Sequence, residues 1–273
     1  MSEHQGERIA KILARRGLCS RREAERWIAE GRVAVGGTVL TSPAFNVADE
    51  SIVTVDGKAM PNAERTRLWR YHKPAGMITA ARDPQGRPTV FDNLPPGLPR
   101  VISVGRLDYN SEGLLLLTND GALARKLELP ATGWTRRYRV RVHGTPDKDA
   151  LARLKNGIEV DGVRYGPIEA EMDRQQGSNA WLSVGLVEGK NREIRKVMDK
   201  LGLTVTRLIR ISYGPFQLGN LPKAMVDELP GRVIAEQTGD GPARPILTLK
   251  PKPRTGPKLK PRPKKNADRR RKT

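Results

Sequence analysis

The first apolar pattern along the chain recurs at the spacing of a helix. Ile9, Ile12 and Leu13 fall on one face of a helix predicted over residues 8–16. A helix with one apolar stripe has to bury that stripe against another element. The sequence therefore predicts a packed helix close to the start of the chain.

A second helix is predicted directly afterwards, with signals at both of its ends. Ser20 precedes the run RREAERWIAEG, and Glu23 lies three residues on, which is the signature of a capping box. Gly31 is expected to end the helix. Short alternating runs follow, and the pair Gly36-Gly37 between two of them predicts a hairpin turn. Residues 1 to about 60 are therefore expected to form a module of two short helices packed on a small sheet.

Between residues 65 and 240, strand-like runs alternate with a few helices. One helix is predicted in PDKDALARLKNG, from a proline and acids in the first turn and a glycine at the end, and another in KNREIRKVMDKLG. The mixed order and the many hairpin-like turns favour an α+β fold with a mixed, mainly antiparallel sheet. The strand-like runs are RLWRYH, RVISVG, GLLLLTND, RYRVRVHG, AWLSVGLVEG and VTRLIRISYG.

The charge of the chain points to a polyanionic partner. Fifty Lys and Arg face thirty Asp and Glu, for a net charge of +20, and nucleic acid is the leading candidate. A well-solvated surface and attraction to anionic lipid are the alternatives. Residues 251–273 alone hold eleven bases and one acid. With prolines and few apolar residues, the segment 241–273 is expected to be a disordered tail that neutralises phosphates, or a solvated tail without a partner.

Several classes of protein are disfavoured by what the sequence lacks. Cys19 is the single cysteine, so an internal disulfide and a cysteine-rich zinc site are excluded. The histidines His4, His72 and His143 show no short-range ligand spacing, and we expect no metal site. No stretch approaches the ~20 apolar residues that span a bilayer. The expected location is the cytoplasm, without membrane contact.

The bases of the first module cluster between residues 8 and 32, although ordinary solvated helix faces would produce a similar cluster. The pattern from Glu7 to Gly57 resembles the S4-type RNA-binding domain, named after a ribosomal protein. The resemblance implies that two helices and the following strand bind structured RNA, with the second helix start as the preferred phosphate site. The candidate contacts are Arg8, Lys11, Arg15, Arg21 and Arg22.

Asp108 is the most informative single position. On its own the tripeptide RLD is weak evidence, because Asp108 could equally cap the turn that starts YNSEG. Four motifs in order change this interpretation: YHKPAGMIT at 71–79, GRLDYNSEGLLLLTNDG at 105–121, RRYRV at 136–140 and EGKNREIRKVM at 188–198. Together they resemble the pseudouridine synthases that modify ribosomal RNA, in the branch of small-subunit type A and large-subunit type B enzymes. The resemblance extends over residues 7–220.

The resemblance implies a fold and a domain order. It predicts an S4-type RNA-binding domain at 1–62, a catalytic domain of pseudouridine synthase type at 63–240 and the basic tail at 241–273. The implied reaction detaches uracil from ribose at its nitrogen, turns it and rejoins it through a ring carbon, without metal or redox cofactor. Asp108 would attack the anomeric carbon or remove the neighbouring ribose proton, and both schemes require an ionised carboxylate.

The resemblance also implies partners for Asp108. A dry pocket raises the pKa of a carboxyl group, so a cation has to hold the charge. Arg195 matches the buried arginine of the family, and Arg192 is the alternative one turn away. Arg192 is otherwise a candidate contact for RNA phosphate. Tyr138 is expected to stack on the detached base, although a strand tyrosine is more often part of the core. Ser111 stands where the family usually has threonine, and the hydroxyl is retained.

The walls of the implied site have to exclude water, or the freed uracil would be lost. The run Leu114–Leu117 is expected to form a buried strand that holds Asp108 rigidly. Lys73 is predicted to be available to phosphate, beside a tight loop shaped by Pro74 and Gly76. Arg106 is expected to fill the place of the flipped-out uridine, or to bind the RNA backbone.

The substrate implied by the resemblance is ribosomal RNA or a ribosome-assembly intermediate, bound by a monomer. The basic tail and the complete S4-type domain favour 23S RNA of the large subunit, the type B target. The 16S RNA of the small subunit and other large-subunit uridines are alternatives, because those enzymes share the same motifs. A non-catalytic RNA-binding assembly factor with the same fold is the rival class.

Overall fold

The structure, a computed structural model, describes residues 6–48, 52–129 and 132–239. The predicted basic tail at 241–273 lies outside these ranges. None of the helices in the described ranges is both long and apolar enough to span a bilayer. The domain boundaries at 62 and 240 stay predictions.

The first module contains the two predicted helices and a small sheet. Ser20 accepts a hydrogen bond from the Glu23 amide at 3.1 Å while Glu23 accepts one from the Ser20 amide, so the capping box is confirmed. Gly36 and Gly37 both have positive φ and join two strands, as the hairpin prediction requires. The elements are β1 Glu7–Arg8, α1 Ile9–Arg15, α2 Arg21–Ala29, β2 Val33–Val35, β3 Thr38–Val39, β4 Asn46–Val47, β5 Val53–Val55 and β6 Lys58–Ala59.

This module has a core of its own. Ile9, Leu13, Ile28 and Val33 are fully buried and belong to one apolar cluster. The pattern that predicted α1 therefore identified the buried face of that helix. Two helices packed on a small sheet are confirmed, with β3-β2-β5-β6 as the strand order.

The remaining elements surround a large sheet. Its strands are β7 Leu68–Lys73, β8 Ile102–Val104, β9 Ser111–Thr118, β10 Arg136–His143, β13 Ile168–Gln176, β14 Asn179–Leu186, β15 Thr204–Tyr213, β16 Phe216–Gln217 and β17 Val226–Glu228. Two further strands, β11 Ile158–Val160 and β12 Val163–Tyr165, pair with each other in a separate two-stranded sheet. The helices are α3 Gly121–Glu128, α4 Lys148–Arg153, α5 Glu193–Lys200 and α6 Gly231–Thr238, with 3₁₀ turns at Phe91–Asn93 and Leu154–Asn156.

The order of the large sheet is β13-β14-β10-β15-β9-β7-β17, with β8 also on β9 and β16 also on β15. Among its described pairings, β9 with β15 is parallel and the others are antiparallel. The α+β class and the mainly antiparallel sheet are confirmed. The start of α4 differs from the prediction, because Asp147 caps the helix and Pro146 precedes it instead of lying in the first turn.

Strand β9 lies at the centre of this region and is buried along its whole length. Leu115 and Leu117 pack into the cluster on one face of the sheet, and Leu114 and Leu116 into the cluster on the other. Because successive side chains of a strand point to opposite faces, a strand covered on both faces is a continuous apolar run. The predicted role of the four leucines as a buried strand is confirmed.

Candidate active site

A cleft of about 810 Å³ opens beside the start of β9. One wall is the loop from Gly105 to Ser111, which carries Asp108. The opposite wall is the segment 186–194 at the end of β14 and the start of α5, and the floor comes from β10 and β15. The Asp108 side chain is 33% exposed, so it lies in the cleft and is not on a convex surface.

The backbone of the Asp108 loop is held on both sides of the carboxylate. Thr79 Oγ1 donates to the Leu107 carbonyl at 2.9 Å and accepts from the Leu107 amide at 3.3 Å. The Gly76 amide donates to the Tyr109 carbonyl at 2.8 Å, and the Ser111 amide donates to the Asp108 carbonyl at 3.0 Å. These contacts order the loop before any substrate binds, as a reacting group requires.

Lys73 is the central support of the same loop, and its predicted role as a phosphate contact is wrong. Its side chain is fully buried, and Nζ donates to the carbonyls of Pro74 at 3.0 Å, Asp108 at 3.1 Å and Ser111 at 2.9 Å. Burial lowers the pKa of Lys73 to about 8, against the opposing effect of Asp108. Trp69, Tyr71 and Lys73 occupy alternate positions of β7, and all three are buried. This alternation could have placed Lys73 on the buried face of the strand from the sequence alone.

We expect Lys73→Met to lower stability and activity together. Three carbonyls, one of them buried, lose a charged donor, which costs about 2 kcal/mol or more, and the freed loop no longer holds Asp108. A displacement of that kind lowers kcat ~10²-fold. Thermal unfolding and single-turnover kinetics measure both effects. The control is Lys148→Met, at an exposed position of α4, and equal behaviour of the two variants would contradict the assigned role.

Arg192, and not Arg195, forms the ion pair of Asp108. The Arg192 Nη1 atom lies 3.9 Å from Asp108 Oδ2, which is a long contact between partly exposed groups. Arg195 instead donates to the carbonyls of Asn110 at 3.1 Å and Val205 at 3.3 Å, and burial lowers its pKa. Arg192 adopts a left-handed backbone conformation at the N-cap of α5, whereas Arg195 lies within the first turn. The predicted ion pair between Asp108 and Arg195 is therefore wrong, and the partner is Arg192, one helical turn earlier.

The floor of the cleft is formed by side chains on one face of β10 and β15. Tyr138 is 9% exposed and lies directly opposite Arg210 in the pairing of the two strands. Leu208 lies two residues before Arg210, and Arg136 and Tyr213 complete the lining at one end. Tyr138 is thus placed in the cleft, as predicted. The other four were missed, although Arg136, Leu208 and Arg210 alternate along their strands in the same way as Tyr138; Tyr213 lies opposite Arg136 only because of a register shift between β10 and β15.

Two glutamates make up part of the opposite wall. Glu193 is buried; its Oε2 accepts from the Lys190 amide at 2.9 Å, and its Oε1 has no hydrogen-bond partner in the described part of the chain. Burial, with the nearby Glu188, raises the pKa of Glu193 to about 7. Glu188 accepts from the Gly166 amide at 2.5 Å and pairs with Lys190 at 3.0 Å. A protonated Glu193 can donate to Glu188, which would otherwise face a second negative charge.

This pair predicts a pH dependence of stability. The pKa of Glu193 is raised to about 7 from its ordinary 4.5, so folding favours the protonated carboxyl group. The stabilisation is therefore complete below pH 4.5 and is lost as the pH rises from 4.5 to about 7. Glu193→Gln cannot ionise and should raise Tm at pH 8 by ~2–4 °C per kcal/mol recovered, with little change at pH 5. Glu171→Gln, at an exposed position of β13, is the control. Equal shifts at both pH values would contradict the prediction.

The predicted RNA contacts differ in their exposure and in whether a carboxylate already pairs with them. Arg8, Arg21 and Arg22 are exposed. Lys11 and Arg15 both contact Glu7, at 2.5 and 2.7 Å, which offsets part of their charge. Arg106 is exposed at the cleft, where Arg87, Lys190 and Arg192 also lie, each paired with a carboxylate. Within the described ranges, no three His, Cys, Asp or Glu side chains are grouped so as to hold a metal ion.

Comparison with known families gives two matches along the chain. Residues 67–200 match the family model described as RNA pseudouridylate synthase, and residues 7–53 match the S4 domain. A solved structure, described as the crystal structure of a pseudouridylate synthase, shares the fold. Its TM-score is 0.59 at 22% identity, over 85% of this chain and 100% of that one.

Curated relatives give closer matches. An RNA pseudouridine synthase of Rickettsia bellii is 50% identical over 215 residues, 79% of this chain and 93% of that protein. One from Rickettsia prowazekii is 46% identical over 84% of this chain and 97% of its own length. Ribosomal large subunit pseudouridine synthase B of Pseudomonas aeruginosa is 40% identical over 90% of this chain and 66% of that longer protein.

Proposed function

The chain belongs to the RNA pseudouridine synthase family, and from this premise we propose that it converts a uridine of 23S ribosomal RNA to pseudouridine, with Asp108 as the reacting carboxylate. The observation that carries the proposal is a carboxylate in a cleft, on a loop whose backbone is fixed by Lys73, Thr79 and Gly76. The similarity to a large-subunit enzyme of Pseudomonas aeruginosa supports the choice of RNA.

The proposed reaction needs only groups that the cleft supplies. The bond between N1 of uracil and C1′ of ribose breaks, the base turns, and a bond forms between C5 and C1′. The proton on C5 is lost, and N1 gains one, so the product is an isomer. Asp108 acts at the sugar, as a nucleophile at C1′ or as the base for the 2′ proton. Tyr138 lies on the floor, where it can stack on the detached base.

Water has to be kept from the sugar while the base is detached. Leu107, Leu186 and Leu208 line the cleft, and β9 packs behind it without an exposed side chain. Glycosidases place a second carboxylate to activate water, whereas the glutamates of the opposite wall are held by other groups, Glu188 by the Gly166 amide and Lys190, and Glu193 by the Lys190 amide. The apolar lining and the engaged glutamates support isomerisation over hydrolysis.

Arg192 and Arg195 have different proposed roles. Arg192 holds the charge of Asp108, whereas Arg195 positions the loop through the Asn110 carbonyl. Arg192→Met should lower kcat about tenfold, or ~1.4 kcal/mol, and leave Tm unchanged, because exposed pairs add only ~0–1 kcal/mol to stability. Arg195→Met should lower both kcat and Tm. Steady-state kinetics and thermal unfolding test this, and the reverse pattern would exchange the two roles.

The start of α2 offers exposed bases for binding RNA. We propose that the exposed Arg21 and Arg22, at the start of α2, contact RNA phosphates, and that Arg8 and Arg106 add to that surface. The protein acts as a monomer in the cytoplasm on ribosomal RNA or an assembly intermediate. Light scattering of the pure protein tests the monomer.

Carbodiimide mapping of ribosomal RNA tests the substrate. Pseudouridine retains a carbodiimide adduct that stops reverse transcription, although the isomer has the same mass as uridine. RNA from a strain lacking the gene should lose one stop in 23S RNA, and the wild-type gene should restore it. A lost stop in 16S RNA would replace the proposed target. If all ribosomal stops remain, ribosomal RNA is the wrong substrate.

A further inference from the structure

Arg210 brings a buried positive charge to the cleft without an acidic partner among the described residues. Its side chain is 3% exposed, and Nε donates to the Leu114 carbonyl at 2.7 Å. The Nη2 atom is buried and has no hydrogen-bond partner there. A guanidinium stays ionised in proteins, so an unpaired buried one is costly to the fold. Such a group is expected where a ligand supplies the missing acceptor.

The neighbours of Arg210 place it at the reacting base. It lies opposite Tyr138, so both side chains point from the same face of the sheet toward the cleft that also holds Asp108. Its guanidinium stacks on Tyr213 at 5.2 Å from the ring centre, and Arg136 lies 4.8 Å from the same ring. These contacts fix the guanidinium without neutralising it. A phosphate on the RNA surface would meet exposed bases such as Arg106 before it reached this depth.

Uracil becomes electron-rich when it is detached. As the bond from N1 to C1′ breaks, its electron pair stays on the base and spreads over N1, O2 and O4. Donors fixed in advance where negative charge develops are a main source of catalysis. We propose that Arg210 donates from its unpaired Nη2 to a carbonyl oxygen of the detached uracil and stabilises its negative charge. This inference rests on the proposed reaction at Asp108.

The leaving-group dependence of the reaction tests the proposal. Arg210→Gln removes the charge but keeps a donor for the Leu114 carbonyl, and Arg210→Lys keeps the charge. Arg207→Gln is the matched control, because Arg207 is on the same strand and pairs with Glu112 at 2.8 Å. Each variant is given RNA with uridine or with 5-fluorouridine at the mapped site. Fluorine withdraws electrons and makes the base a better leaving group. Cleavage rate in a single turnover, RNA affinity and Tm are measured.

Arg210→Gln should cleave the uridine bond ~10²-fold more slowly than the wild type, with RNA affinity unchanged. 5-Fluorouridine should recover most of that loss, Arg210→Lys should lose less, and Arg207→Gln should match the wild type. The inference is overturned if Arg210→Gln cleaves at the wild-type rate, if both substrates lose equally, if only affinity falls, or if both Arg210 variants unfold. Wild-type activity is measured first, so a wrong substrate appears as an inactive wild type.

Discussion

Gly113→Ala is expected to leave little folded protein. Gly113 lies opposite Arg210 in the parallel pairing of β9 with β15 and has a φ of +105°. A Cβ at this position would lie 2.3 Å from the Arg210 carbonyl oxygen and 2.7 Å from its amide nitrogen. Backbone atoms cannot rotate away, so the two strands would have to separate. We expect a cost above ~4 kcal/mol, a large share of the ~5–15 kcal/mol that stabilises a typical domain.

A second glycine serves as the control that separates the steric clash of an added Cβ from the strain of a positive φ. Gly177 also has a positive φ, of 57°, in the turn between β13 and β14, and an added Cβ meets nothing within 4 Å. Gly177→Ala should therefore cost only ~1–2 kcal/mol. Soluble yield and thermal unfolding compare the two variants. If Gly113→Ala unfolds at the same temperature as Gly177→Ala, the tight approach of β9 to β15 is not a feature of the folded protein.

Local patterns predicted the elements well, because the signals lie within a few residues of each other. The capping box at Ser20, the turn at Gly36-Gly37 and the buried run Leu114–Leu117 all appear where expected. Each depends on the conformation of one short segment. Such features need no knowledge of the remaining chain.

The partners in the site were predicted less well, because they depend on distant segments. Lys73 was taken for a surface base, although it is buried against a loop 35 residues away in sequence. Helix α5 begins at Glu193, and this start decides that Arg192 and not Arg195 reaches Asp108. Arg210 meets Tyr138 only through the register of β10 with β15, which contains two shifts. A bulge of that kind cannot be read from either strand alone.

Asp108→Asn is expected to abolish turnover and leave the rest of the protein unchanged. An amide has the shape of a carboxylate but is neutral and is neither a useful nucleophile nor a base at neutral pH. Whether Asp108 attacks C1′ or removes the 2′ proton, the rate should fall more than ~10³-fold. The loop should keep its position, because Lys73, Thr79 and Gly76 bind its backbone and not the Asp108 side chain.

RNA binding should survive the same change. The exposed bases at the start of α2 and around the cleft are unaltered, and one negative charge among them is removed. The affinity of Asp108→Asn for its RNA should therefore equal or slightly exceed that of the wild type. A combined loss of binding and activity would indicate damage to the fold, which thermal unfolding would reveal.

The most direct measurement compares wild type and Asp108→Asn in single turnovers on one ribosomal RNA fragment that contains the mapped uridine, with carbodiimide mapping as the readout. We predict complete conversion by the wild type and none by the variant at equal RNA occupancy. Conversion by Asp108→Asn at a rate close to that of the wild type would show that the chemistry does not depend on this carboxylate, and would contradict the account.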